Sequence, residues 1–247
     1  MIEVSTAAST GPGRRLRRPA AWLGGALAAL LALGTALAQP YQEAPMLAEL
    51  VAAGELPPVE ERLPEEPLVI EPFEGIGTYG GVIRRGFTGP GDHNNYTRWA
   101  YDSLLRFSVD GSEIVPHIIR AWEPSEDFHT WTLHLRPGMK WSDGHPFTAD
   151  ALLFYYEAVL QNEELTPSVP VWIANHDGTL AAMRAIDDYT VEVEFDFPYT
   201  LFPLELTFRD GGDRTLAFHL PSHYLKQFHP DYGDAAEIQR MVAEAGL

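Results

Sequence analysis

Apolar and polar positions alternate most clearly between Tyr189 and Phe197. Tyr189, Val191, Val193, Phe195 and Phe197 are apolar, whereas Thr190, Glu192, Glu194 and Asp196 are polar. Successive side chains of a strand point to opposite faces, so this period of two predicts a half-buried strand. Asp187-Asp188 opens it as a turn and Pro198 ends it. Trp131-Thr132-Leu133-His134-Leu135 alternates in the same way and predicts a second strand. Between the two the period changes. Leu152, Leu153, Tyr156, Val159 and Leu160 recur at the spacing of one helical face. Thr148 is the expected N-cap, and Asp150 sits in the first turn, where a negative charge complements the helix dipole. Strands and helices in alternation favour a mixed α/β body.

The pattern weakens toward the N-terminus. Tyr96–Phe107 carries Trp99, Leu104 and Leu105 at helix-compatible spacing, and Ile114–Trp122 reads as one short element. Tyr79–Phe87 reads as a glycine-permitted turn feeding a short strand, followed by a Gly/Pro/Asn loop from Thr88 to Asn94. Pro45–Ala53 predicts a short helix with Met46, Leu47, Leu50 and Val51 on one face and Gly54 as its stop. The prolines and glutamates of Leu56–Pro67 argue against any regular element, so an extended arm over the body is expected there.

The first 38 residues stand apart. Arg14, Arg15, Arg17 and Arg18 precede an uncharged apolar run from Ala20 to Leu33, and Ala36-Leu37-Ala38 offers small residues at a cleavage site. This is the pattern of a secretory signal peptide, cut between Ala38 and Gln39. The run is shorter than the roughly 20 residues that span a bilayer, so stable membrane insertion is not expected. Three regions follow: the signal at 1–38, an acidic Pro-rich arm at 39–75, and a folded region at 76–247.

Composition narrows the chemistry. The chain has no Cys, which removes disulfides, thiolate metal sites, a Cys nucleophile and a lipid-anchored Cys. Its net charge is -18, and four of the 17 basic residues lie in the signal, so the exported part is more acidic still. Such a surface repels nucleic acid and anionic lipid and keeps a protein soluble. No nucleic-acid partner is therefore expected.

Residues 122–156 carry a resemblance. Trp131-Thr132-Leu133-His134-Leu135-Arg136 ends in the Arg136-Pro137-Gly138 turn, Lys140-Trp141 makes a short strand, Ser142-Asp143-Gly144 turns again, and Thr148-Ala149-Asp150 starts a helix. The run resembles the signature of the family 5 extracellular solute-binding proteins, the oligopeptide, dipeptide and nickel-binding group. Ile186-Asp187-Asp188-Tyr189-Thr190-Val191 and Pro221-Ser222-His223-Tyr224-Leu225-Lys226 are similar to further stretches of that family. The motif is a folding signature without catalytic groups. The resemblance implies a type II periplasmic-binding-protein-like α/β lobe and capture of a solute for an ABC permease in the inner membrane. The solute it implies is a peptide, with nickel, haem or oligosaccharide as alternatives. It further implies a monomer in the full-length form, with no cofactor and no catalysis. Family members have two lobes and roughly twice this length or more, so the chain is expected to be an N-terminal part whose lobe is incomplete at the C-terminus.

The best ligand-contact candidates are in the loop holding His93, Asn94, Asn95, Tyr96 and Trp99. Amides beside aromatics suit a pocket for peptide or sugar groups. Trp172 and Asp210 are weaker candidates. His219 and His223 have i, i+4 spacing, but Pro221 between them spoils a regular helix, and these with His117, His129, His134 and His145 read as ordinary histidines rather than metal ligands. Asp92, Asp143, Asp187 and Asp188 occupy turns, where Asp serves local hydrogen bonding. A secreted hydrolase would need a nucleophile or metal set, and neither pattern is present in the sequence.

Overall fold

The computed structural model describes residues 41–89, 92, 102–208 and 218–246. A four-stranded antiparallel sheet lies at the centre, in the order β3-β4-β6-β5. Its strands are β3 (Ile119–Pro124), β4 (Thr130–Leu135), β5 (Ala182–Asp187) and β6 (Thr190–Glu194). The two strands expected from alternation are thus neighbours, paired with Trp131 opposite Val193 and Leu133 opposite Val191. Trp131, Leu133, Leu135, Val191 and Val193 turn to the core, whereas Thr132, His134 and Glu192 face the other side. On that wet face Arg184 pairs with Glu192 and, at 3.6 Å, with Glu194.

The core closes where the helix Asp150–Phe154 packs on the sheet. Its chain continues as a π-helical stretch, Tyr155–Leu160. Leu152, Tyr156 and Leu160 are buried, and Leu153 and Val159 pack against the same cluster. Thr148 does not cap this helix with its side chain; the N-cap position is Ala149. The reason lies in the turn geometry. The Ala149 N–H donates to the Asp188 carbonyl (2.8 Å), and the Thr148 carbonyl takes the Ala151 N–H (3.0 Å). Asp150 is used tertiarily, accepting from Ser222 and Lys226.

Other expectations are corrected. Leu105–Phe107 forms strand β1, paired with β2 (Ile114–Pro116), so the helical reading of Tyr96–Phe107 fails at its C-terminal end. Leu104 and Leu105 are both fully buried, and their backbone is paired from distant elements: the Leu105 N–H donates to the Leu206 carbonyl (3.3 Å), and the Leu104 carbonyl accepts from the Ile119 N–H (3.0 Å). Ile114–Trp122 is not one element but β2 and part of β3, separated at His117-Ile118. In the arm, α1 (Pro45–Ala52) forms as expected, and Gly54 leaves it at φ 72°. Leu56–Pro67 is not wholly irregular, because Val59–Arg62 makes one helical turn, α2. Pro58 sits at its N-cap, where a missing N–H costs nothing.

Tyr79–Phe87 forms no strand. A strand needs a partner, and none of the described strands pairs with it. Strand β5, the 3-10 turn Val171–Ile173 and the helix Ala235–Ala245 were not legible in the pattern. Among the described residues no helix is long and apolar enough to cross a membrane.

Candidate functional site

The loop residues Asn94, Asn95, Tyr96 and Trp99 lie outside the described residues, as do His93, Asp210, Ala38 and Gln39. On the C-terminal side of that loop the described groups begin at Asp102. Asp102 accepts from Arg106 and faces His117, whose Nε2 is 3.1 Å from Asp102 Oδ1. The contact lies off the N–H direction, so both ring nitrogens of His117 are buried without an aligned hydrogen bond. Burial, then the charge of Arg106, lowers the His117 pKa despite Asp102.

His219 belongs to the same neighbourhood. Its Nδ1 is sealed from solvent without a partner, although part of the residue stays open. Burial pushes its pKa down to about 4, opposed by the charge of Asp102. His117 and His219 are therefore neutral imidazoles near neutral pH. A neutral imidazole offers one N–H donor and one acceptor, a set that suits hydroxyl or amide groups. In sequence both read as ordinary histidines, because 101 intervening positions separate them and no spacing rule links a strand connection to a helix approach.

A second cluster lies on the signature turns. Arg136-Pro137-Gly138 reverses the chain with Gly138 at φ 76°, and Lys140 bridges to Pro146 around the second turn, where Gly144 has φ 87°. The His145 ring stacks on His223 at 3.9 Å with planes 2° apart. His223 Nε2 meets Asp143 Oδ2 at 2.6 Å. The Asp143 pKa is lowered, first by the His145 N–H and then by His223. Trp141 stands 6.1 Å from the His219 ring and 6.3 Å from His223. His219 and His223 thus flank one indole rather than one metal position, and among the described residues no group of three or more His, Asp or Glu is placed to hold a metal ion. Trp172 is core, packed edge-on against Phe218 at 5.1 Å.

The signature turns also hold the N-terminal arm. Arg136 is buried, and its guanidinium donates to the carbonyls of His117 (2.8 Å) and Glu66 (2.9 Å). The Glu65 N–H donates to the Pro137 carbonyl (3.1 Å), and Lys140 Nζ donates to the Glu61 carbonyl (2.5 Å). Open hollows elsewhere, of about 590 Å³ beside Tyr156 and Leu180 and about 520 Å³ beside Arg120 and Tyr189, are lined by neither His117 nor His219 nor Trp172.

Comparison with known proteins fits this arrangement. The family described as bacterial extracellular solute-binding proteins, family 5 Middle, matches residues 113–242. The periplasmic alpha-galactoside-binding protein of Rhizobium meliloti (strain 1021) is 36% identical over 220 residues, covering 78% of this chain and 30% of that protein. The periplasmic oligopeptide-binding protein OppA of Salmonella typhimurium is 31% identical over 121 residues, covering 44% of this chain and 22% of that protein. Among solved structures, an oligopeptide-binding protein OppA superposes with a TM-score of 0.73 at 40% identity, covering 82% of this chain and 30% of the other. The periplasmic binding protein MelB of Agrobacterium fabrum C58, in complex with stachyose, superposes with a TM-score of 0.60 at 29% identity, covering 82% and 33%. The chain thus spans about a third or less of the length of these relatives. Its mixed helices and antiparallel sheet make a periplasmic-binding-protein-like α/β lobe, and the chain belongs to the bacterial extracellular solute-binding proteins of family 5.

Proposed function

We propose that the chain binds an oligosaccharide of the alpha-galactoside class outside the cytoplasm and serves an ABC importer. The observation that carries this reading is the long match to the R. meliloti alpha-galactoside-binding protein, which takes in 78% of the chain. The superposition on a stachyose complex supports the same class. Neutral His117 and His219 supply hydrogen-bonding groups of the kind that sugars use, and the candidates Asn94, Asn95, Tyr96 and Trp99 carry the amide and aromatic groups that such a pocket needs. The role is binding and delivery, with no reaction catalysed. Residues 1–38 direct export and are removed at Ala38-Gln39, residues 39–75 form the arm, and residues 76–247 form the binding region. The partner is an ABC permease in the inner membrane, and the exported protein acts as a monomer.

A peptide ligand is the second reading, favoured by the 40% identity to the OppA structure. Thermal unfolding of the purified chain with millimolar stachyose, raffinose or a tetrapeptide separates the two. A ligand that binds only the folded state raises stability by about 2.7 kcal/mol at a concentration of 100 Kd. The proposal expects that rise with the sugars and none with the peptide; a rise with the peptide alone replaces it with the second reading.

A further inference from the structure

Among the described residues the His117 ring has no aligned hydrogen bond, so its nitrogens do not fix its place. Its backbone does. The His117 N–H donates to the Ile119 carbonyl (3.0 Å), and the His117 carbonyl accepts from Nε of Arg136 (2.8 Å). Nη1 of the same guanidinium donates to the Glu66 carbonyl of the N-terminal arm (2.9 Å). A guanidinium is planar and rigid, so the two bonds are not independent. Arg136 is buried, and bulk water does not replace a lost carbonyl there. If Glu66 withdraws, a buried donor is left unpaired, and turning the side chain to repair it takes the bond to His117 out of line. The Arg136 charge also reaches the ring: burial, then Arg106 and more weakly Arg136, lower the His117 pKa.

We infer that the N-terminal arm controls ligand affinity through Arg136, a positioning residue that sets His117 without touching the ligand. The arm is a strap, and its seating on the signature turn holds the site in its binding form. Glu66 is kept in reach by fasteners that bypass Arg136. The Glu65 N–H donates to the Pro137 carbonyl (3.1 Å), and Lys140 Nζ donates to the Glu61 carbonyl (2.5 Å). The inference rests on the reading of His117 as a ligand-binding group.

The double variant Gly138→Ala/Lys140→Met loosens the strap while leaving Arg136 and His117 in place, because a Cβ on Gly138 would stand 3.2 Å from the Glu65 nitrogen. Lys140→Met alone, at an exposed side chain, keeps the test open if the double variant does not fold. Leu133→Val, a core change away from the strap, is the comparison for general loss of stability. The readouts are the imidazole NMR signals of His117, assigned through His117→Gln, and stachyose affinity by calorimetry. Both strap variants should shift the His117 signals and raise the stachyose Kd about threefold or more, with Leu133→Val changing neither. His117 signals unmoved in the strap variants, or moved as far by Leu133→Val, overturn the inference, as does unchanged affinity where the parent binds stachyose. A parent that binds no stachyose counts against the sugar reading alone, and the His117 signals then decide the coupling.

Discussion

Arg136 reaches back 70 positions to donate to the backbone carbonyl of Glu66 at 2.9 Å. The same guanidinium donates to the His117 carbonyl, so one side chain ties the arm and the β2–β3 connection to the end of β4. A buried guanidinium must spend its donors on partners, and two carbonyls supply them. Its pKa is lowered by burial, with Glu66 acting in the opposite sense.

Replacing Arg136 with Ala leaves two carbonyls without their donor and opens space beside the core. A loss of about 2–4 kcal/mol in unfolding free energy is expected from urea titration. Arg136→Lys keeps the charge without the planar fork and should lose less. Faster amide exchange at Glu65 in Arg136→Ala would accompany the loss. Unchanged stability and exchange would remove Arg136 from this role.

Gly138 and Gly144 occupy similar left-handed turns but differ in surroundings. A Cβ on Gly138 would sit 3.2 Å from the Glu65 nitrogen, whereas nothing lies within 4 Å of one on Gly144. Both alanine variants carry a backbone cost of about 1 kcal/mol, and Gly138→Ala should cost roughly a further 1 kcal/mol by pushing the arm away. Equal losses would show that the arm does not press on this turn.

Core and wet-face positions of β4 should separate cleanly. Leu133 is fully buried, and Leu133→Ala should cost about 2–5 kcal/mol. His134, its neighbour on the opposite face, should tolerate Ala within about 0.5 kcal/mol. Denaturant midpoints at constant slope would measure both. Comparable losses at the two positions would mean that the sheet buries the other face.

This contrast shows why the sheet was legible. The period of two in β4 and β6 records which side is dry, and the helical stripe from Leu152 to Leu160 records the layer that covers it. Arg136 reads as a turn residue in sequence, because its partners at Glu66 and His117 are brought to it only by the folded chain. Strand β5 was hidden because Ile186, on the same face as Arg184, breaks its alternation and is 52% exposed. Tyr79–Phe87 misled for the opposite reason, since pattern alone supplies no partner strand. Neither neutral histidine carried a signal, because their shifts arise from burial, which no spacing encodes.

The acid limb of stability should report His219. Its pKa is about 4 in the fold against 6.5 as an ordinary imidazole, so between these values the unfolded chain binds more protons. Stability therefore falls as pH drops from 6.5 to 4, by at most about 3 kcal/mol. Asp143 and Asp150 have lowered pKa values, and their contribution is lost in a separate, more acidic window below the ordinary carboxylate value of 3.8. His219→Phe should reduce the slope between pH 6.5 and 4, leaving the smaller part that His117, also lowered by burial, contributes, and should leave the more acidic limb in place. A slope undiminished by the substitution would assign that limb to other groups.

Tryptophan fluorescence titration with stachyose, in the parent chain and in Trp99→Phe, addresses oligosaccharide binding at the candidate loop most directly. A saturable change in the parent that disappears in Trp99→Phe, with no response to a tetrapeptide in either protein, is the expected result. A flat stachyose titration of the parent beside a saturable tetrapeptide response would contradict it.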